Sequence, residues 1–338
     1  MNIRELARLA GVSKTTAAYA VKNDQRISES VRQRIQALAK VNGYNPNPLV
    51  KAYMQEMRKG KVEKSRQYSL CYLSSLDPIS GKPRHVKYLF EQDIIAGASF
   101  EAEKLGYPFE VIICDPGQMS RARLSQIIFS RGIRGLLIGP SGQAYTKLDL
   151  DWSSVAAIAY GHSVVKPELS RFNSNYQKAI LDFADRAFAR KYQTIIFAFE
   201  QDTDKRAERR WLSAASALQA IHGRQKIKFK VDDYRNLPGY ILGQLSKSKA
   251  PVIMGPSGLL EELRQHGVLI PEDVGFVAND DEHPNTTTAI SQPNYIIGRL
   301  AIDQLSMLVE CGRWGPPEIP CTQTIDCGWH EGETLPSR

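Results

Sequence analysis

The chain has 338 residues, of which 42% are hydrophobic and 24% charged, and its formal net charge at pH 7 is +8. No apolar run is long enough to cross a membrane, which excludes an integral membrane protein, and the N-terminal segment is expected to be a polar helix rather than a signal peptide. Five cysteines without paired spacing indicate reduced thiols and no metal site. The sequence has no phosphate-binding loop and no nucleophile–base pair that would favour an enzyme. No cofactor is expected.

The positive charge is concentrated in the first fifth of the chain. Residues 1–67 contain 14 Lys and Arg against 5 Asp and Glu, a net charge of +9, whereas residues 68–338 contain 30 against 31, a net charge of −1. A basic head joined to a neutral body is typical of a nucleic-acid-binding domain attached to a second, separate domain.

Three helices are predicted in the basic head. Asn2 begins a capping box that starts the first helix. Gly11 breaks that helix and suits the tight turn between two crossing helices, and Ser13 is a good N-cap for a second helix. A third helix is expected to start after Ser28 and to stop at Gly43.

The second helix of the head has two different faces. Small apolar residues share one face and fit close packing on the first helix: Ala17, Ala20 and Val21. The opposite face carries Lys14, Thr15, Ala18, Tyr19 and Lys22. Because the tight turn, the small-residue face and the charge segregation coincide, the head is predicted to be a helix-turn-helix that binds DNA, rather than a bundle with a solvated basic face.

At these residues the chain resembles the LacI/GalR family of bacterial transcription regulators. The resemblance is carried by the residues from Ile3 to Ser13, Thr16, the residues from Ile27 to Glu29, Val31, Arg32 and the residues from Gly43 to Asn47. It implies that the helix beginning at Ser13 enters the major groove, where Lys14 and Thr15 read base edges with a contribution from Tyr19. Thr16 would contact phosphate.

Further DNA contacts are implied outside that helix. Tyr44 and Asn47 would help to seat the head on the DNA backbone. The complete set of expected DNA-contacting residues is Ser13, Lys14, Thr15, Thr16, Tyr19, Lys22, Tyr44, Asn47, Lys51, Tyr53 and Met54.

Two residues of the second helix depart from the family pattern. Ala18 and Tyr19 stand where the family usually has Ser and then Arg. The guanidinium fork of the family's arginine reads guanine with two hydrogen bonds. The phenol of Tyr19 makes one hydrogen bond or packs on a thymine methyl group. The operator is therefore expected to differ from the family's usual one at the matching base pair.

Residues 47–67 are expected to join the head to the body. Pro48 begins a short helix candidate that is too short to be stable alone in water, followed by a segment of linker composition. The resemblance implies a hinge helix that orders on DNA and inserts an apolar side chain into the minor groove. Tyr53 aligns with the family's leucine wedge and Met54 is the neighbouring alternative, so the choice between them stays open.

The body alternates short apolar runs with helical patterns, which predicts parallel sheets covered by helices on both faces. The predicted strands are 70–73, 109–113, 135–138, 155–159, 194–199, 252–254 and 274–278. Two of them run into an identical Gly-Pro-Ser-Gly turn, at 139–142 and 255–258. Ligands bind beyond the carboxyl ends of parallel strands, so the two turns are expected to face one cleft, with Ser141 and Ser257 as candidate ligand contacts.

The body also resembles the family's sensor, over nearly its whole length but less continuously than the head. The implied fold is an N-terminal all-α helix-turn-helix head (1–46), a hinge helix and linker (47–67) and a two-lobed α/β periplasmic-binding-protein-like body with parallel sheets (68–338). Lobe 1 would comprise about 68–161 and 292–322, and lobe 2 about 162–291 and 323–338. The chain would cross between the lobes three times, which permits hinge closure.

The resemblance also implies an effector site between the lobes. Arg210 and Asp280 align with the family's effector contacts, and an arginine fork with a carboxylate suits a polyhydroxylated ligand. Phe90 keeps one aromatic residue of the family's usual pair, and Asn175 keeps the asparagine of an Asp-Asn pair. The expected effector-binding residues are Phe90, Ser141, Asn175, Arg210, Ser257 and Asp280.

The function implied is that of a transcriptional repressor. It would bind a near-palindromic double-stranded DNA operator as a homodimer, because two-fold protein symmetry matches two half-sites. A sugar or sugar derivative would control operator affinity from the cleft, and the protein would be cytoplasmic, on the nucleoid when bound to DNA. The alternatives are a regulator without a small-molecule effector and one with a nucleobase-type co-repressor.

Overall fold

The computed structural model describes residues 3–21, 24, 26–42, 68–114, 119–224, 226–280 and 286–338. By its internal contacts the chain divides into two compact units, Met1–Arg66 and Gln67–Arg338. Several predicted features lie outside the described residues: the cap at Asn2, Lys22, the helix stop at Gly43, the backbone contacts Tyr44 and Asn47, and the hinge segment with Lys51, Tyr53 and Met54. Within the described residues, no helix is long and apolar enough to span a membrane.

The described part of the head consists of three helices, α1 (Ile3–Ala10), α2 (Lys14–Val21) and α3 (Glu29–Val41). Gly11 has φ of +65° in the turn between α1 and α2, a conformation that glycine adopts without steric cost. Ala17 and Ala20 are fully buried, so α1 and α2 pack closely. The predicted helix-turn-helix is confirmed, although Leu9, which follows the apolar spacing of α1, is half exposed.

The body is an α/β structure whose elements alternate along the chain. Its strands are β1 (Ser69–Ser75), β2 (Phe109–Cys114), β3 (Ile133–Ile138), β4 (Thr146–Lys147), β5 (Ala156–Tyr160), β6 (Val164–Lys166), β7 (Arg171–Ser174), β8 (Thr194–Glu200), β9 (Ile227–Asp232), β10 (Pro251–Gly255), β11 (Gly275–Ala278), β12 (Ala289–Ser291), β13 (Thr322–Ile325) and β14 (Gly328–His330). Its helices are α4 (Arg84–Lys87), α5 (Leu89–Lys104), α6 (Arg121–Ser130), α7 (Tyr176–Ala189), α8 (Gln201–Arg206), α9 (Arg210–His222), α10 (Leu237–Leu245), α11 (Gly258–Gln265) and α12 (Asn294–Glu310).

Two six-stranded sheets form the centres of two lobes. The first sheet has the order β13-β7-β5-β3-β1-β2 and the second has the order β14-β12-β11-β10-β8-β9. All neighbours are parallel except β12 and β14, an antiparallel pair at one edge. The seven predicted strands are all present, because residues that are apolar on both faces of a strand are buried on both sides by helices.

The structure corrects the predicted boundaries between the lobes. Strand β7 pairs with β5 and β13 of the first sheet, so lobe 1 continues to Ser174 rather than ending near 161. It also includes all of β13, to Ile325. Strand β7 could not be predicted from the sequence because three of its four residues are polar. These residues form hydrogen bonds where they are buried; for example, the Arg171 Nη1 donates to the carbonyl oxygens of Gly161 (2.9 Å) and Val164 (3.3 Å).

One face of the first sheet is covered by the helix pair α5 and α12. Glycines lie where the two helices cross: a Cβ atom on Gly97 would overlap the backbone oxygen of Tyr295, and one on Gly298 would overlap that of Ile94. Only glycine allows the backbones to approach this closely. The pair joins α12, from late in the chain, to the lobe that begins at β1.

Candidate functional site

The exposed surface of α2 carries the predicted DNA-reading residues. Lys14 and Thr15 are exposed at the start of the helix. The Ser13 Oγ accepts a hydrogen bond from the Thr16 backbone N–H (3.0 Å), as an N-cap does, and lies 2.8 Å from the Thr16 hydroxyl. Ser13 and Thr16 therefore hold each other at the start of the helix, beside the two residues that would read bases.

Tyr19 has a neighbour that sequence reasoning missed. The Arg26 guanidinium lies 4.2 Å from the centroid of the Tyr19 ring. It also donates two hydrogen bonds to the Asp24 carboxylate, from Nε to Oδ1 (3.0 Å) and from Nη2 to Oδ2 (2.7 Å). Hydrogen bonds from Arg26 lower the pKa of Asp24 to about 2. The Tyr19 phenol therefore lies beside a cationic side chain that comes from the segment after α2 and not from α2 itself.

A cavity of about 230 Å³, here named the cleft, lies between the two lobes of the body. Both Gly-Pro-Ser-Gly turns reach it, through Pro140 of lobe 1 and Pro256 of lobe 2. The carboxyl ends of β3 and β10 therefore face the same space, as parallel-sheet geometry predicts.

Lobe 1 contributes aromatic rings and two polar groups to the cleft: Arg84, Tyr88, Phe90, Tyr160 and Asn173. The Asn173 side chain is 1% exposed and its Nδ2 lies 2.7 Å from Nε2 of His162. Its Oδ1 is buried and has no hydrogen-bond partner within the described part of the chain. Flat apolar walls beside an acceptor of this kind suit the faces and hydroxyl groups of a small ring.

Lobe 2 contributes both polar and aromatic side chains. Its polar lining residues are Glu200, Thr203, Asp204, Arg206, Asn279 and Asp280, and its aromatic ones are Tyr176, Phe199 and Trp211. Backbone N–H groups hold the carboxylates in place. Glu200 accepts from Asp202 (2.9 Å) and Thr203 (2.6 Å), Asp204 accepts from Leu212 (3.1 Å) and Asp280 accepts from Ser257 (2.9 Å). Burial raises the pKa of Asp204.

Three crossings of the chain connect the lobes behind the cleft. The Ser174 Oγ donates to the Gln292 Oε1 (3.3 Å), and this bond joins the first and second crossings. The Gln292 Nε2 also donates to the Asn279 carbonyl oxygen (3.2 Å). The Asn175 Nδ2 donates to the Asp326 Oδ1 (2.9 Å), which joins the first and third. These bonds form a compact hinge.

The structure brings only part of the predicted effector set to the cleft. Phe90 and Asp280 line it, whereas Ser141, Asn175, Arg210 and Ser257 are not among its lining residues. Arg210 begins α9 and its Nη2 donates to Glu208 (2.9 Å). Asn175 caps α7 and bonds to the hinge, and the Ser141 hydroxyl lies 2.6 Å from that of Thr146. The side chains of Arg210, Asn175 and Ser141 thus each have an intramolecular hydrogen-bond partner.

Sequence reasoning missed the two arginines of the cleft, Arg84 and Arg206. Arg84 begins the four-residue helix α4, which is too short to give a periodic signal, and Arg206 ends a helix of six residues. The one available signal is the acidic Glu91 in place of the family's second aromatic residue. Glu91 is fully buried and accepts a 2.7 Å hydrogen bond from the Arg84 Nε, so it marks the position of a buried cation.

Comparison with known proteins agrees with this architecture. A family profile described as "Bacterial regulatory proteins, lacI family" matches residues 2–47. The whole chain is similar to the HTH-type transcriptional regulator KdgR of Bacillus subtilis (strain 168), at 20% identity over 341 residues that cover 94% of each protein.

Two solved structures share the fold over 99% of each chain. One is the Lac repressor dimer bound to operator and the anti-inducer ONPF, with a TM-score of 0.57 and 14% identity. The other is the transcriptional regulator CelR in complex with cellobiose, with a TM-score of 0.58 and 17% identity. These proteins are transcriptional regulators and not enzymes. The head thus matches the lacI family of bacterial regulatory proteins over residues 2–47, the body shares the fold of these regulators, and the chain is a DNA-binding transcriptional regulator.

Proposed function

We propose that this protein is a repressor whose affinity for an operator is controlled by a polyhydroxylated small molecule, a sugar or sugar derivative, bound in the cleft. The observation that carries the proposal is the composition of the cleft. Aromatic rings from both lobes line it together with fixed carboxylates from lobe 2, and the space between the lobes is closed behind by a hinge. CelR, which is similar in fold, has been solved with cellobiose.

Control by such a ligand follows from its two-sided contacts. A molecule that touches Phe90 of lobe 1 and Asp280 of lobe 2 stabilises the closed arrangement more than the open one. It therefore shifts the population of lobe arrangements, and in a dimer this changes the spacing of the two heads. The sign of the response, release or recruitment of DNA, depends on which arrangement fits the operator.

On the DNA side, we propose a homodimer on a near-palindromic operator. Lys14 and Thr15 are exposed at the start of α2, where a recognition helix presents side chains to base edges. One head of this size makes too few contacts for high specificity, so two half-sites are required. Lys22, Tyr44, Asn47, Lys51 and the wedge, Tyr53 or Met54, complete the proposed contact set.

The direct test is selection from genomic DNA. Fragmented DNA is passed over the full-length protein and over a matched Lys14→Ala/Thr15→Ala variant, and the fragments retained at moderate salt are sequenced. We expect a few palindromic sites to be enriched by the wild type alone. Equal, sequence-independent retention by both proteins, lost as salt rises, would overturn specific recognition by α2.

A further inference from the structure

Two guanidinium groups reach the cleft from opposite lobes. Arg84 comes from lobe 1 and Arg206 from the end of α8 in lobe 2. Burial lowers the pKa of Arg206, and the charge of Arg84 lowers that pKa further. Glu91 is the counterion of Arg84, so the positive charge that remains uncompensated beside the cleft is costly unless something negative binds next to the two guanidinium groups.

Arg84 keeps unused hydrogen-bonding capacity although it is almost fully buried. Its side chain is 3% exposed, its Nε donates to Glu91, and its guanidinium carbon lies 4.4 Å from the centroid of the Tyr88 ring. The Nη1 atom is buried and has no hydrogen-bond partner in the described ranges. A buried arginine nitrogen without an acceptor costs free energy that a ligand oxygen would recover.

Arg206 is held in place by neutral groups only. Its Nη2 donates to the Thr203 hydroxyl (3.0 Å), and its Nη1 donates to the Gly142 carbonyl oxygen of lobe 1 (3.4 Å), a long bond. Among the described side chains, no carboxylate lies within ion-pair distance of this guanidinium. Its position next to the cleft is therefore fixed, while its charge has no direct counterion.

The acidic residues of the cleft do not fill this role. Glu200, Asp204 and Asp280 each accept hydrogen bonds from backbone N–H groups, which fix the orientation of their carboxylates. The charge of Glu200 raises the pKa of Arg206, but among the described side chains the two groups form no ion pair. The carboxylates are oriented acceptors suited to ligand hydroxyl groups. The cleft thus combines acceptors for hydroxyls with donors for an anion.

We infer that Arg84 and Arg206 form a subsite for an anionic group, a carboxylate or a phosphate, so that the effector is an acidic sugar derivative rather than a neutral sugar. The inference rests on the proposed function, which assigns an effector to the cleft, and it names the class of that effector. An oxyanion accepts from the free Nη1 of Arg84 and from Arg206 at once, and charge-assisted bonds of this kind are about twice as strong as neutral ones.

The experiment is isothermal titration calorimetry on the full-length chain without DNA. The probes are D-gluconate and D-glucuronate as carboxylates, D-glucose 6-phosphate and inorganic phosphate as phosphates, and D-glucose and D-glucitol as neutral counterparts. The proteins are the wild type, Arg206→Gln, Arg206→Lys and the control Arg235→Gln. Arg235 is exposed and lies in a turn away from the cleft, and thermal melts establish that each variant is folded.

We expect an anionic probe to bind more tightly than its neutral counterpart. Arg206→Gln should weaken that binding roughly ten- to hundredfold. Arg206→Lys, which keeps the charge but loses the fork, should fall between, and Arg235→Gln should bind like the wild type. The carboxylate and phosphate arms distinguish a sugar acid from a sugar phosphate.

Three results would overturn the inference: equal affinity for anionic and neutral probes, an anion preference that survives Arg206→Gln, or no saturable binding of any anionic probe. Failure of the proposed function gives a different pattern. In that case an anion binds in an Arg206-dependent way, but operator affinity does not respond to it.

Discussion

His162 is a buried neutral histidine that joins the two lobes. Its backbone N–H donates to the Arg206 carbonyl oxygen (3.2 Å), and its Nδ1 lies 3.4 Å from Glu208 of lobe 2. Because the Asn173 Nδ2 donates to Nε2, the hydrogen of the neutral ring is on Nδ1, facing Glu208. Burial lowers the pKa of His162 from 6.5 to about 4, against the attraction of Glu208 and with repulsion from Arg171 and Arg210.

This histidine makes stability depend on pH. Its folded-state pKa is below its unfolded value, so the unfolded chain binds more protons between pH 6.5 and 4. The free energy of unfolding should therefore fall as pH decreases through that window, by about 3 kcal/mol in total. Chemical denaturation of His162→Gln should show a flatter pH profile there than the wild type. Parallel profiles for His162→Gln and wild type would contradict this account.

Tyr19 is expected to set the base preference at one operator position. A phenol makes one hydrogen bond, whereas an arginine fork reads guanine with two. Selection of binding sites from random DNA should show a guanine preference with Tyr19→Arg that is absent with Tyr19. Recovery of the same guanine preference by both proteins would show that Tyr19 does not read that base.

At the scale of single residues, the sequence identifies site members better than it identifies their orientation. Phe90 and Asp280, two of the six expected effector contacts, line the cleft. Arg210 aligns with an effector contact but bonds to Glu208, because the direction of a long side chain depends on neighbours that sequence spacing does not reveal. For Arg84 the one signal in the sequence is Glu91, and Arg206 carries none, since the role of the two arginines depends on two lobes meeting.

Among the elements, the α5–α12 pair depends on a close backbone approach. We predict that Gly298→Ala destabilises the protein by about 1–3 kcal/mol, because the added Cβ overlaps the backbone of Ile94 and forces the helices apart. The same substitution at Gly243, in α10, meets no atom within 4 Å and should stabilise by about 0.5–1 kcal/mol through helix propensity. Urea denaturation of both variants measures the contrast. A loss of stability no larger for Gly298→Ala than for Gly243→Ala would mean that the helices tolerate separation.

Strands were predictable from sequence where burial is two-sided. Strands β1, β5 and β8 lie inside the sheets and read as continuous apolar runs. Strands β7, β13 and β14 are short and mostly polar or exposed, so no apolar run marks them. The error in the boundary of lobe 1 follows directly from β7, whose polar residues are buried by hydrogen bonds that only the folded chain supplies.

At the scale of the whole molecule, the excess charge and the proposed ligand site are divided between the two parts of the chain. Residues 1–67 carry the excess positive charge, and the nearly neutral remainder carries the cleft and the hinge. The chain crosses between lobes three times, and Ser174, Gln292 and Asp326 lie at the crossings. The proposed ligand would therefore act on DNA affinity by changing the relative arrangement of the lobes.

The measurement that tests this account most directly is a fluorescence-anisotropy titration of the full-length protein on its selected operator, with and without the compound that binds the cleft most tightly. We predict that the compound changes the operator Kd by about 5- to 150-fold, the usual range for allosteric coupling. Asp280→Asn should abolish the change while leaving the ligand-free Kd unaltered. An operator Kd that stays the same for the wild type while the cleft is saturated would contradict the central claim.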